Sequence, residues 1–365
     1  MILSPVGRSI ADLDTPALLL DLEPFEANVR TMAGHLSSRG VAWRPHAKAF
    51  KCPAIAHRLR RAGAIGVTVA KVSEAEVMAA AGIDDILIAH LVVGPPKVAR
   101  LAALRRTADV KATVDHPDHI GPMAEAAREA GVEVGVLVDV DLGMGRNGAR
   151  STGAAVELAR RVAGASGLRF DGLMGYEGHT LFIPDPKEKR RAIGEAIGRL
   201  IEAKDAVEGA GLPCRIVSAG GSGSYQFTAD LPGVTELQAG GGVFACRYYT
   251  EVCGVVGHLP AISVLATVVG RPAEDRAILD LGRKSISDYK TPPVIPDHPG
   301  CTFLGLSAEH ATFEVRPGDR LSIGDKVRVI PGYSDFTFVL HDRILAHRGD
   351  RVEACWTLSG RGMLQ

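Results

Sequence analysis

One lysine and two glycine-rich segments have the residue types needed to hold an aldehyde and an anion. Lys48 follows a short apolar run, and an amine that is partly removed from water loses its proton and can attack an aldehyde. Residues 218–224 (Ser-Ala-Gly-Gly-Ser-Gly-Ser) and 238–242 (Gln-Ala-Gly-Gly-Gly) are rich in glycine, which lets backbone N–H groups approach a phosphate closely. Ser222 and Ser224 add hydroxyl donors to the first segment. This chemistry requires the lysine and both segments to meet at one place in the fold.

Other polar side chains follow apolar runs that are predicted as strands. In chain order they are Arg44, His46, Lys71, His90, Asp115, His116, Asp139, Asp141, Arg146, Tyr176, Glu177 and His179. We interpret Asp139 and Asp141 as the residues that orient Arg146. His90 and His116 are interpreted as structural or surface histidines.

The elements that must position these residues alternate regularly between strand and helix. Eight apolar runs are predicted as strands, with amphipathic helices between them. They are 41–46, 65–70, 85–89, 110–114, 134–140, 170–176, 215–218 and 235–239. This alternation indicates parallel strands, and eight repeats predict a closed (β/α)₈ barrel of the TIM type. In such a barrel the reactive residues lie at the C-terminal ends of the strands, and phosphate binds in the loops after strands seven and eight.

The pattern changes after about residue 245 to short apolar runs between Gly, Pro and Asp turns. These runs, 261–269, 277–281, 326–330 and 352–356, predict a mostly antiparallel β domain. The early run 15–22 is also strand-like, and we expect it to pair with this domain. The predicted organisation is therefore a barrel at 23–245, with residues 1–22 and 246–365 forming the β domain.

A lysine at the barrel mouth and two phosphate-binding loops together predict one kind of cofactor. The cofactor must have an aldehyde at one end and a phosphate at the other. Pyridoxal 5'-phosphate has that shape. Lys48 is then expected to form a Schiff base with it.

Composition excludes several other classes of protein. The 365 residues carry 42 basic and 42 acidic side chains, and no basic stripe indicates binding to nucleic acid or to an anionic membrane. No apolar run reaches the roughly 20 residues that a membrane helix needs. The six cysteines are scattered without a Cys-x-x-Cys pair, and the first residues do not resemble a signal peptide. We expect a cytoplasmic protein.

Several motifs resemble the D-threonine aldolase and D-serine dehydratase family, whose barrel is of the alanine racemase type. The resemblance covers nearly the whole chain. Its most specific motifs are Arg-Pro-His-Ala-Lys (44–48) and Val-Asp-Leu-Gly-Met-Gly-Arg (140–146), supported by similar residues at 14–22, 236–240, 280–284, 307–310 and 352–362.

The resemblance implies a cofactor site and an assembly. Lys48 would be the Schiff-base lysine, Arg146 would reach the cofactor's phenolic oxygen, and Tyr176 would lie by its ring. The remaining cofactor contacts would come from His46, Ser222, Gly223, Ser224, Gly241 and Gly242. Family members are homodimers, with each active site between one barrel and the partner's β domain.

The resemblance also implies a divalent metal (Mg²⁺, Mn²⁺ or Zn²⁺), held by a His-x-Asp or His-x-Cys motif in the β domain. The matching segment here is Pro-Gly-Tyr-Ser-Asp (331–335). Asp335 is present, but Tyr333 replaces the histidine, and a protonated tyrosine is a poor ligand for these metals. Glu177 also stands where the family usually has histidine or glutamine.

The main hypothesis is a lyase, an aldolase or a dehydratase, for a small D-configured 3-hydroxy amino acid such as D-threonine, D-serine or 3-hydroxyaspartate. Tyr333, Glu177 and His179 are the candidate bases. One alternative is a metal-independent racemase or epimerase in which Lys48 and Tyr333 act on opposite faces of the α-carbon. Another is a non-catalytic carrier of pyridoxal phosphate. The sequence leaves open the substrate, the choice between cleavage, elimination and racemisation, and the metal.

Overall fold

The computed structural model describes residues 4–365, and these divide into two units. The first, the β unit, contains residues 4–31, 49–52 and 241–361. The second, the barrel unit, contains residues 32–48, 53–240 and 362–365. The prediction from the sequence places the boundaries at 22/23 and 245/246. The division found here has them at 31/32 and 240/241, and it also assigns residues 49–52 to the β unit and residues 362–365 to the barrel unit.

Sixteen strands and nine α-helices are described along the chain. The strands are β1 (Ala17–Asp21), β2 (Ala42–Trp43), β3 (Val67–Val69), β4 (Asp85–Leu91), β5 (Asp109–Val114), β6 (Val134–Val140), β7 (Leu168–Gly175), β8 (Ile216–Ala219), β9 (Glu236–Leu237), β10 (Ile262–Ala273), β11 (Arg276–Leu279), β12 (Cys301–Leu306), β13 (Ala311–Val315), β14 (Lys326–Val329), β15 (Arg343–Arg348) and β16 (Arg351–Thr357). The helices are α1 (Leu22–Ser37), α2 (Pro53–Arg61), α3 (Val72–Ala80), α4 (Pro95–Leu104), α5 (Ile120–Ala130), α6 (Thr152–Ala163), α7 (Pro186–Gly209), α8 (Tyr225–Thr228) and α9 (Ser334–Phe338).

The barrel unit confirms the predicted fold. Its eight parallel strands are ordered β2-β9-β8-β7-β6-β5-β4-β3. Isolated parallel bridges from Trp43 to Ala64 and from His46 to Thr68 join the two ends of this order, so the sheet closes. Every residue of β6 is buried, as expected for a parallel strand covered on both faces.

A network of ion pairs lies in the barrel where its strands begin. Arg44 is only 2% exposed, and its guanidinium binds Glu236 (2.9 Å) and Asp85 (2.7 Å), the first residues of β9 and β4. Lys111 adds ion pairs to Asp85 (2.8 Å) and Asp109 (2.7 Å). Placing Arg44 among the polar groups at the C-terminal strand ends was therefore wrong, because its long side chain turns back to carboxylates at the opposite end.

The β unit is a mostly antiparallel sheet of order β12-β13-β11-β10-β1-β15-β16, with β14 paired to β10. The early strand β1 pairs antiparallel with β10 and parallel with β15. The sequence pattern missed β12, β13, β15 and the short helix α9. In β12, a bulge near Gly305 breaks the regular alternation that identifies a strand.

Candidate cofactor and active site

Lys48 is positioned by the turn that ends the first barrel strand. It lies in one turn of 3-10 helix, Ala47–Ala49. Its backbone N–H donates to Nδ1 of His46 at 3.4 Å, so this imidazole helps to shape the turn. The residue is exposed in this structure, and partial desolvation of its amine stays a prediction.

The aromatic ring of Tyr176 lies near the amine of Lys48. The Nζ atom is 5.9 Å from the centroid of the ring. A Cβ atom at Gly178 would lie 2.5 Å from Cε1 of this ring, and one at Gly221 would lie 3.0 Å from Cε2. Both distances are shorter than ordinary van der Waals contact, so each position needs glycine while the ring stays there. The ring is thereby held between residues after β7 and residues after β8.

The loop after β8 is shaped by its own hydrogen bonds. Gly220 has φ of +71°, a region that favours glycine. The Oγ atom of Ser224 accepts a hydrogen bond from the backbone N–H of Gly221 at 3.1 Å. Ser222, Gly223 and Ser224 are all buried. One function of the Ser224 hydroxyl is thus to form the loop, while its contact with a phosphate stays a prediction.

Glu177 holds the same loop from the end of β7. It is fully buried. Its Oε2 accepts from the backbone N–H of Gly220 at 3.2 Å, and its Oε1 accepts from Oγ1 of Thr228 at 2.7 Å. These partners lie on either side of the glycine-serine loop, so the carboxylate ties both of its ends to the strand that carries Tyr176. Glu177 therefore fits a positioning role better than the role of base considered from the sequence.

Asp139 is a buried carboxylate at the end of β6. It is 7% exposed. Burial raises the pKa of Asp139 to about 7; the charge of Asp115 adds to this effect, and the charge of Arg146 opposes it. Arg146 itself is exposed. The interpretation that Asp139 orients Arg146 stays a prediction.

Asp141 does not have the role expected for it. Its carboxylate pairs with Arg150 and accepts from the backbone N–H groups of Gly143 and Gly145, each at 3.1 Å. Burial acts to raise the pKa of Asp141, but these hydrogen bonds and Arg150 outweigh it and lower the pKa. The residue shapes the loop after β6 and orients Arg150 rather than Arg146.

His179 lies next to the loop after β6. It is exposed and belongs to the 3-10 helix Gly178–Phe182. A Cβ atom at Gly143 would be 3.1 Å from both Cε1 and Nε2 of its ring. Among the three candidate bases it is the one with an exposed position.

In the β unit, Gly241 and Gly242 lie in a buried 3-10 helix, Gly241–Phe244. A Cβ atom at Gly241 would come within 2.1 Å of the hydroxyl oxygen of Tyr249. The absence of a side chain at Gly241 is thus what admits this tyrosine. Neither glycine's contact with a phosphate is tested, and both stay predictions.

Asp335, also in the β unit, is surrounded by hydroxyl groups. Tyr333 donates to its Oδ2 at 2.9 Å, Tyr249 donates to both oxygens at 3.1 and 3.2 Å, and Ser334 donates to Oδ1 at 3.3 Å. Burial raises the pKa of the Tyr333 phenol well above its ordinary value, and the negative charge of Asp335 raises it further. Tyr333 therefore keeps its proton, which disfavours it as a base.

Comparisons with known proteins agree with this geometry. The protein-family model for the alanine racemase N-terminal domain matches residues 20–247, and the family model for the putative serine dehydratase domain matches residues 261–347. A D-threonine aldolase from Arthrobacter sp. is 39% identical over 98% of this chain and 95% of its own length. The chain belongs to the D-threonine aldolase and D-serine dehydratase family.

Two further members of this family are similar over nearly their full length. A 3-hydroxy-D-aspartate aldolase from Paracoccus denitrificans is 33% identical over 98% of this chain and 94% of its own. The crystal structure of a D-threonine aldolase from Filomicrobium marinum superposes with a TM-score of 0.96 at 37% identity, covering 99% of this chain and all of that one. The enzymes named in these comparisons are lyases, and this chain is a lyase of the same family.

The barrel unit fits the family's cofactor, but the β unit does not fit its metal. An amine, a neighbouring aromatic ring and a glycine-serine loop are the groups that pyridoxal phosphate requires. At the metal position, Asp335 is joined by tyrosine and serine hydroxyls that keep their protons. Among residues 4–365, no group of three or more histidine, cysteine, aspartate or glutamate side chains is arranged to hold a metal ion.

Proposed function

We propose that the chain is a pyridoxal-phosphate-dependent lyase that cleaves a small D-configured 3-hydroxy amino acid into glycine and an aldehyde. The observation that supports this most directly is the position of the Lys48 amine 5.9 Å from the Tyr176 ring. The Arthrobacter and Paracoccus relatives are both named as aldolases. In the cleavage, the bond between Cα and Cβ breaks, the hydroxyl proton leaves as the aldehyde forms, and Cα gains a proton.

When bound, pyridoxal phosphate withdraws electrons from the α-carbon and stabilises the negative charge left there. In the barrel unit, Lys48 would hold its aldehyde end and Tyr176 would lie against its ring. Arg146 would bind its phenolic oxygen, and residues 221–224 would bind its phosphate. Glu177 keeps that loop in place, and Asp139 would help to orient Arg146. His179 is the candidate base that is exposed to solvent.

The racemase and carrier alternatives are less well supported. A racemase would need Tyr333 to lose its proton, but this phenol donates to Asp335 and its pKa is raised. A carrier of pyridoxal phosphate would not need the β unit. The relatives named as aldolases match 98% of this chain, so the similarity to them extends over the β unit.

Product analysis with D-threonine, D-serine and the D isomers of 3-hydroxyaspartate tests the proposal. We expect glycine and the matching aldehyde in equal amounts, together with cofactor absorbance in the purified protein. Ammonia with an oxo acid would instead indicate elimination. Loss of optical activity without cleavage would contradict the proposal and support the racemase.

We further propose a homodimer in the cytoplasm. The family resemblance supports the dimer, and light scattering of the purified protein would test it. The six cysteines are thiols, five of them buried, which suits a reducing compartment. No helix within residues 4–365 is long and apolar enough to cross a membrane.

A further inference from the structure

The carboxylate of Asp335 is enclosed by the side chains of its own unit. It is 7% exposed, and Ser334 beside it is fully buried. Four hydrogen bonds from Tyr333, Tyr249 and Ser334 reach its two oxygens, at 2.9 to 3.3 Å. In each of these bonds a hydroxyl hydrogen points at the carboxylate, because an ionised carboxylate can only accept.

These hydrogens occupy the directions from which a cation would approach. A divalent metal bound to Asp335 would face the positive ends of three O–H groups unless they turned away. Protein sites for Mg²⁺, Mn²⁺ and Zn²⁺ are built from carboxylate, imidazole, thiolate or carbonyl donors, whereas the Tyr333 hydroxyl donates its hydrogen to Asp335 at 2.9 Å. The sulfur of Cys246 accepts from the backbone N–H of Ser334 at 3.2 Å.

The hydroxyl groups are held in place by packing that the backbone permits. The ring of Tyr333 packs on Tyr248 and Phe336, with centroid distances of 4.4 and 4.9 Å. Tyr249 reaches Asp335 across Gly241, where a Cβ atom would lie 2.1 Å from its hydroxyl oxygen. The arrangement is therefore built by several elements and is not a single rotamer choice.

We infer that hydroxyl donors replace the divalent metal at Asp335, and that this lyase works without a metal ion. The inference rests on the proposed lyase function, in which the family resemblance would place a metal at this position. The identity of residue 333 determines whether a metal can bind at Asp335, because a histidine in place of Tyr333 would restore the His-x-Asp pair.

Metal binding tests the inference without any activity measurement. Equilibrium dialysis of the purified holoenzyme against MnCl₂ and ZnCl₂ should show no saturable site in the parent protein. Tyr333→His should gain one site per chain, with affinity at least about tenfold above the parent's non-specific binding. Tyr289→His is the matched control, because it places an imidazole in the same aromatic cluster but outside the His-x-Asp spacing, and it should gain no site.

A second experiment measures the cleavage rate of the parent enzyme in the presence of a chelator. EDTA should leave its cleavage rate unchanged, whereas Tyr333→His should become sensitive to EDTA. One equivalent of metal bound tightly by the parent, or loss of its activity in EDTA, would overturn the inference. A folded Tyr333→His that binds no metal would also contradict it, because Tyr333 would then not be the deciding residue. If the parent cleaves no hydroxy amino acid, the dialysis result still stands, and only the proposed function fails.

Discussion

The two ends of the barrel treat charge in opposite ways. Where the strands begin, Arg44 and Lys111 are buried and paired with Glu236, Asp85 and Asp109. Where the strands end, Lys48, Arg146 and His179 are exposed, and the neighbouring loops are rich in glycine. Desolvation makes an unpaired buried cation costly, and Lys48 and Arg146 avoid this cost by being exposed to solvent. We therefore assign stability to the end where the strands begin, here called the closed end, and chemistry to the end where they finish, here called the open end. The following substitutions test that difference.

The largest expected effect is on activity at the open end. Lys48→Ala should lower the cleavage rate on the order of a thousandfold or more, because the amine that holds the cofactor aldehyde is lost. It should also remove the absorbance band of the bound cofactor while leaving urea unfolding nearly unchanged. The control is Lys187→Ala, at an exposed lysine of α7. A Lys48→Ala variant with parental activity would refute both the proposed function and the comparison.

At the closed end, Arg44→Met should act on stability. Removing Arg44 leaves the buried Glu236 without its cation and Asp85 with Lys111 alone, at a cost of about 3–5 kcal/mol in the free energy of unfolding. Urea denaturation measures this. Arg191→Met, which breaks an exposed pair with Glu195, is the matched control and should cost at most about 1 kcal/mol. Equal effects of the two substitutions would contradict the assignment of this end to stability.

Gly178→Ala tests whether the open end is shaped for the ring of Tyr176. The new Cβ atom would lie 2.5 Å from Cε1, so the ring must move. Overpacking of this kind costs on the order of 1–3 kcal/mol, and we expect cofactor affinity to fall about tenfold. Fluorescence titration of the apoenzyme with pyridoxal phosphate gives the dissociation constant. Gly194→Ala in α7, where a Cβ atom meets nothing within 4 Å, should leave that constant unchanged.

Glu177 is a buried carboxylate at the open end, and its replacement sharpens the comparison. Glu177→Ala leaves Gly220 N–H and Thr228 Oγ1 without their acceptor, which costs on the order of 1–3 kcal/mol. We expect cofactor affinity to fall and amide exchange in residues 220–228 to accelerate, with Glu177→Gln between Ala and the parent. A role as base would give a different result, with kcat lost in both variants and cofactor affinity unchanged.

A further prediction concerns pH and Asp139. Its folded-state pKa of about 7 lies above that of an unfolded aspartate, so the folded state binds the proton more tightly. The resulting stability is fully present below about pH 4 and is lost as the pH rises towards 7. Asp139→Asn should remove this loss, giving a smaller fall in the free energy of unfolding of the apoenzyme between pH 5 and pH 8. An unchanged pH dependence would show that Asp139 titrates normally.

Much of the barrel could be predicted because parallel strands buried on both faces are continuous apolar runs. The run 134–140 coincides with β6, whereas 41–46 and 235–239 shorten to the two-residue strands β2 and β9. In the β unit, strands with mixed burial such as β12 and β15 carry a weaker pattern, and they were missed.

The residue types of the site could be predicted, but their partners could not. Glu177 is held by Thr228, 51 residues away in the chain, and Asp335 is held by Tyr249, 86 residues away. No local pattern contains such pairs. The direction of the Arg44 side chain likewise depends on carboxylates contributed by two other strands.

The sequence by itself determined the alternation of strands and helices, the lysine with its glycine-rich loops, and the tyrosine at the family's metal position. These depend on residue type and spacing, which are local properties of the chain. Only the tertiary structure decided which polar groups are exposed at the barrel mouth, which are paired in its interior, and that Asp335 is bound by hydroxyls. Hydrogen bonding and desolvation depend on neighbours in space, and folding brings these neighbours from distant parts of the chain.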